Sequence, residues 1–123
     1  MTTIAAITMD CTDALTLARF WSAVLDRPID EGEPAPSAFF ARIAGGPGPS
    51  GGPPAPTMMF IQVGEAKTAK NRVHLDLQTD DREGEVARLI ALGATHVHDK
   101  DEWGTRWTTL TDPEGNEFCI AQH

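Results

Sequence analysis

An α+β fold built from two βαβββ halves is the architecture this sequence predicts, and three observations carry the prediction. The order strand, helix, strand, strand, strand reads twice along 123 residues. Setting Asp13 over Asp81 aligns the first strands and the first helices, and it also sets Ala6 over His74 and Thr8 over Asp76. Strands accompanied by only two helices imply a helix layer on a sheet layer. The length fits one domain, residues 1–123, with modules of about 1–66 and 67–123.

In the first half, residues 3–10 (TIAAITMD) form a β-rich run. Thr12 and Asp13 can both cap a helix start. Ala14, Leu17, Ala18, Trp21, Val24 and Leu25 then recur at helical spacing and give one apolar face. Pro28 is expected to stop that helix. Strands near Pro28–Glu31 and Ser37–Ala44 follow. Residues 45–56 contain only Gly, Pro, Ser and Ala, too little apolar surface to offset ordering entropy. They read as a flexible loop, the most mobile internal segment, open to use as a lid. A phosphate cradle needs a Lys-Ser/Thr ending and a following helix, whereas Thr57–Val63 reads as a strand.

In the second half, Arg72–Gln78 alternates strictly, as a strand does. Asp80 or Asp81 caps a helix whose apolar face holds Val86, Leu89, Ile90 and Leu92, and Gly93 stands where a C-cap glycine belongs. Ala94–His98 and Arg106–Thr111 are strands. Asp112-Pro113-Glu114-Gly115 is a turn, and Glu117–Ala121 is the last strand.

Charge excludes some functions. The formal net charge is −8, with Lys and Arg scattered, whereas nucleic-acid binding needs a basic stripe. No apolar run is long enough for a membrane span. The N-terminal residues lack the basic and apolar regions of a signal peptide, so a cytoplasmic location is expected. Cys11 and Cys119 then read as thiols rather than a disulfide. Without a CxxC pair, a structural zinc site has no support.

Several segments together resemble a known family. LARFWSAVLDRP resembles the first helix of glyoxalase-like domains, and KNRVHLDLQTDD (Lys70–Asp81) the start of their second half. LIALGATHV (Leu89–Val97) resembles the helix end and next strand, and DPEGNEFCI (Asp112–Ile120) the closing hairpin. The resemblance is to the vicinal oxygen chelate superfamily, which includes glyoxalase, bleomycin-resistance and dioxygenase-like proteins. It covers nearly the whole chain apart from the Gly/Pro loop. It implies two βαβββ modules forming a half-open barrel with a concave cleft, and it implies a homodimer, which open sheet edges also favour. In metal-dependent members, ligands come from the first and last strands of each module. Those positions fall here on Ala6, Gln62, His74 and Cys119. Only His74 is a usual ligand, so no metal or other cofactor is expected. Asp76 or Glu117 would have to substitute if a divalent metal were bound.

Strand alternation gives a separate view of the site. His74 and Asp76 share one face of their strand, opposite Val73, Leu75 and Leu77. Phe60 and Gln62 share a face with Met58, and Cys119 one with Glu117 and Ala121. If the mixed faces line one concavity, it holds Phe60, Gln62, His74, Asp76 and Cys119, apolar walls with a few polar groups suited to a small organic ligand. His74 is the candidate general acid or base, because its ordinary pKa is near neutrality. Its alternatives are ligand contact without chemistry, or hydrogen bonding in a solvated cleft. Trp103 and Trp107 are either core residues or an aromatic rim for a planar ligand. His96, His98, Asp99, Asp101 and Glu102 read as a solvated loop around a turn.

Three functional classes follow: a non-catalytic small-molecule binding protein, a metal-dependent lyase, isomerase or dioxygenase, and an interaction module without ligand chemistry. The missing Glu positions argue against glyoxalase I chemistry, so the binding protein is the favoured reading.

Overall fold

The computed structural model describes residues 1–47 and 53–122. The chain forms two units, Met1–Ala66 and Lys67–His123. Each is a mixed sheet with one helix in contact with it.

The first unit contains β1 (Ala6–Cys11), α1 (Ala14–Leu25), β2 (Phe40–Ile43) and β3 (Thr57–Gln62). The strands lie in the order β1-β3-β2, with β1 parallel and β2 antiparallel to β3. Asp13 is the N-cap; its carboxylate accepts the Thr16 N–H at 3.1 Å, which satisfies an otherwise orphaned helix donor. α1 contacts β2 and β3, and Ala14, Leu17, Ala18 and Trp21 on its apolar face are buried. Ala41 pairs with Phe60 and Ile43 with Met58; cross-strand partners point to the same side, and all four are buried.

Two expectations for this unit are corrected. The helix ends at Leu25, before Pro28, because Asp26 turns into the left-handed region at φ 53°, which Asp tolerates better than most residues. The strand expected near Pro28–Glu31 shrinks to one bridge, Ile29 to Ile43. Pro28 has no N–H to extend a ladder, and the Gly32 N–H turns back onto the Asp30 carboxylate at 2.8 Å. Of Gly45–Pro56, expected to be mobile, residues 48–52 lie outside the described residues. At its flanks, Gly46 and Ala55 exchange backbone hydrogen bonds of 2.8 and 3.0 Å. A side chain at Gly45 would meet the Thr57 backbone N at 2.5 Å, so only glycine fits that approach.

The second unit contains β4 (Leu75–Thr79), α2 (Arg82–Leu92), β5 (Thr95–Glu102), β6 (Thr105–Thr111) and β7 (Glu117–Gln122). The order is β4-β7-β6-β5, with β4 parallel to β7 and the other pairs antiparallel. Asp81 caps α2 by accepting the Gly84 N–H at 3.0 Å, and Gly93 closes it at φ 123°. Asp112 is buried under the following turn. Its carboxylate accepts the Glu114 and Asn116 backbone N–H groups, each at 2.9 Å, and the Asn116 side-chain amide.

Here three expectations change. The strand begins at Leu75 rather than Arg72, and Val73 is 79% exposed instead of core. The Asn71 side chain donates to the Glu117 carbonyl at 3.0 Å, taking the acceptor that a longer ladder would use. Of the apolar face expected on α2, Leu89 is buried, while Ile90 and Leu92 are exposed and Val86 is half-buried. The polar cluster from His96 to Glu102 is not a loop: β5 carries it along a sheet edge, with a bulge between His96 and His98. Edge strands accommodate such charge because one side has no ladder partner. The turn itself is Trp103-Gly104, both at positive φ (52° and 75°), the signature of a two-residue hairpin link.

A candidate binding face on the second sheet

Register assembles this face. Asp76 pairs with Cys119, Cys119 with Thr109, and Ala121 with Trp107, so these side chains emerge on one side of the sheet. The intervening Phe118, Ile120 and Leu110 are buried toward the other side. His74 stands two residues before Asp76, and its Nε2 lies 3.5 Å from Asp76 Oδ1. The ligating atoms of His74, Asp76 and Cys119 all lie within 4.8 Å of one another. His74 and Asp76 are exposed, whereas Cys119 is buried, with its Sγ 3.3 Å from the Thr109 hydroxyl.

Beside this cluster, Asp76, Gln78, Thr105, Trp107 and Ala121 border an open recess of about 310 Å³. Trp103 stacks on Trp107, with ring centroids 5.9 Å apart and planes 12° apart. Trp107 is half-buried, but Trp103 is 89% exposed, so Trp103 is not a core residue. Trp103 also holds a left-handed backbone conformation that a bulky side chain disfavours.

Glu117 anchors the approach to His74. It accepts the Asn71 N–H at 2.9 Å and the Lys67 ammonium at 3.0 Å. Burial alone would raise its pKa, but the Asn71 and Lys67 bonds outweigh that and hold it below the ordinary carboxylate value.

On the β5 edge, Asp99 gathers a second polar group. It accepts from Thr108 at 2.6 Å and lies 3.2 Å from His96 Nε2 and 4.0 Å from Arg82. The Thr108 bond, with help from His96 and Arg82, keeps its carboxyl below the ordinary range despite some desolvation. Its charges neutralise one another.

Of the residues expected at the site, His74, Asp76 and Cys119 converge, Trp107 borders the same recess as Asp76, and Trp103 stacks on Trp107. Phe60 requires correction: it is fully buried, on the side of its sheet that carries Met58 and Ala41. Met59 and Ile61, not Phe60, hold the half-buried face of β3. Gln62 is exposed at the end of β3 and donates its amide to the Thr12 carbonyl at 3.0 Å. Sequence reasoning missed Thr109, although the alternation Trp107, Thr109, Thr111 carried the signal; alternation puts Gln78 on the face of His74 and Asp76, and it borders the recess.

The four metal-ligand positions that the resemblance implies differ in what they offer. Ala6 offers no donor atom, and Gln62, whose Nε2 donates to the Thr12 carbonyl, offers only a neutral amide oxygen. The two remaining donors, His74 and Cys119, both belong to the second unit.

The second unit is a βαβββ module and the first a βαββ version of it, its second strand reduced to the Ile29–Ile43 bridge, an arrangement of the vicinal oxygen chelate type. The glyoxalase-like domain profile matches residues 6–121, and the chain belongs to that family. Solved structures agree in fold. A glyoxalase/bleomycin resistance protein/dioxygenase family enzyme from Burkholderia phytofirmans PsJN superposes with a TM-score of 0.76 at 18% identity, over 98% of both chains. The fosfomycin resistance protein FosX from Mesorhizobium loti gives 0.69 at 14% identity, over 100% of this chain and 93% of its own. Lactoylglutathione lyase from Agrobacterium tumefaciens gives 0.64 at 14%, over 99% and 94%. No curated protein matches the chain in sequence.

Proposed function

We propose that this glyoxalase-like domain binds a small organic molecule with a planar apolar part on the open face of its second sheet, without glyoxalase I chemistry. The observation that carries the reading is Trp103. It stacks on Trp107, which lines the recess, and is almost wholly exposed, in a backbone conformation that favours Asn or Gly. Folding alone gives no reason to keep an exposed indole there, whereas an aromatic ligand surface does. Asp76 and Gln78 supply polar contacts at the recess, and about 310 Å³ is at the lower end of small-molecule sites. The weakness of the two-module ligand set supports binding over lyase, isomerase or dioxygenase chemistry.

The resemblance to bleomycin-resistance proteins supports the same class. It also supports a homodimer, and with no helix among the described residues long and apolar enough to cross a membrane, a cytoplasmic setting. The test is a thermal-shift screen of small aromatic compounds in the presence of a chelator. Stabilisation by one chemical series that disappears in Trp103→Gly is expected. Stabilisation that persists in Trp103→Gly, or none across the series, would refute the reading.

A further inference from the structure

We infer that His74, Asp76 and Cys119 form a three-ligand site for a zinc-class divalent cation, built entirely within the second unit and distinct in donor set from the two-module site that the resemblance implies. The inference is independent of the organic ligand, because the metal alone is the probe.

The donors are one imidazole, one carboxylate and one thiol, a combination that suits zinc and excludes the all-oxygen sites of magnesium and calcium. Bond lengths near 2.0–2.3 Å place neighbouring donors of a tetrahedral site roughly 3.3–3.8 Å apart. The separation of His74 Nε2 and Asp76 Oδ1, 3.5 Å, already falls there. Cys119 Sγ lies within 4.8 Å of both. Closing that gap takes a shift of about 1 Å, within the rotamer freedom of exposed side chains. The movable partners are the exposed ones, His74 and Asp76, while the sulfur is fixed in the sheet against Thr109.

Charge supports the same conclusion. Bound as ligands, the thiolate and the carboxylate carry two negative charges and match a divalent cation. The Thr109 hydroxyl can donate to that sulfur and hold it, as groups behind metal ligands do. The exposed side of His74 and Asp76 leaves a fourth position open to water. Asp76 is what the inherited pattern omits: it joins the set because β4 and β7 run parallel with Asp76 opposite Cys119.

The test titrates the purified full chain with cobalt(II), followed by zinc competition. One equivalent per chain with a near-ultraviolet thiolate-to-cobalt charge-transfer band is expected, and zinc should bleach it. Cys119→Ser should lose the band, while Cys11→Ala, which alters the other thiol, should keep it. His74→Ala and Asp76→Asn should each weaken cobalt binding by at least about tenfold, the scale on which even supporting groups act. These two variants alter exposed residues, so they decide the matter even if Cys119→Ser fails to fold. A wild-type chain without the band at millimolar cobalt would overturn the inference. So would a band that survives Cys119→Ser, or cobalt affinity unchanged in both His74→Ala and Asp76→Asn.

Discussion

Asp76 and Cys119 stand opposite each other in the parallel β4–β7 ladder, one exposed and one buried. The pairing carries a carboxylate on the first strand of the second unit to a thiol on its last. A parallel pair needs a crossover between its strands, so the residues between them must fold before the two groups meet. The site therefore depends on the whole second sheet rather than on a local motif. Changes that disturb β6 or the Asp112 turn should disturb it too.

The turn gives the first such prediction. Asp112 is buried, and its carboxylate receives two backbone N–H groups and the Asn116 amide. Asp112→Ala leaves those donors without their acceptor, and each unsatisfied buried donor costs about 1–3 kcal/mol. Chemical denaturation should show a loss of about 2 kcal/mol or more. A loss below about 0.5 kcal/mol would mean that water replaces the carboxylate.

Phe60 separates core from site. Its side chain is fully buried opposite Ala41, so Phe60→Ala should destabilise the fold by about 3–5 kcal/mol. At temperatures where the variant remains folded, ligand and cobalt binding should stay near wild-type levels. Selective loss of ligand binding with unchanged stability would return Phe60 to the site.

The sequence made the order of elements legible because hydrophobic period and capping residues are local signals. Asp13, Asp81 and Gly93 sit at the helix boundaries they implied. The convergence of His74, Asp76 and Cys119 was also readable, since alternation put each on the mixed face of its strand. Phe60 failed because alternation separates two faces without saying which one a helix covers. The β5 cluster failed because charge density reads as loop, although an exposed edge strand carries charge equally well. The retreat of Val73 from the ladder depends on the Asn71–Glu117 bonds, which join residues far apart in sequence and leave no periodic trace.

Glu117 and Asp99 set an acid limit. Each carboxyl titrates below its ordinary value, 4.5 for Glu117 and 3.8 for Asp99, through the Asn71 and Lys67 contacts in one case and mainly Thr108 in the other. A carboxylate with a depressed folded pKa stabilises the fold fully above its unfolded value. That contribution is lost as pH falls through the folded value. Stability measured by denaturation should thus be flat above about pH 5 with respect to these groups and fall below it. Glu117→Gln should flatten the acid limb. An unchanged limb in Glu117→Gln would show that its bonds do not couple to folding.

Oligomeric state is open to direct measurement. β5 is an edge of its sheet, and Ile4, Phe39 and Val73 expose apolar surface, which a second copy could cover. Light scattering at micromolar concentration should report a homodimer. A monomer across that range would remove the dimer from the proposal.

Trp103 offers the sharpest separation of stability from function. Trp103→Gly relieves a left-handed conformation that costs a bulky residue about 1–2 kcal/mol. It also removes a stack on Trp107 worth about 0.5–1.5 kcal/mol. The two effects oppose each other, so the net change in stability should stay within about 1 kcal/mol. Binding of an aromatic ligand should fall sharply, because half of the rim is gone, while the cobalt spectrum should not change, since Trp103 is not a donor. Denaturation, ligand titration and cobalt absorbance on this one variant give three independent readings. A large loss of stability would assign Trp103 to the fold, and an unchanged ligand affinity would remove the aromatic rim from the binding site.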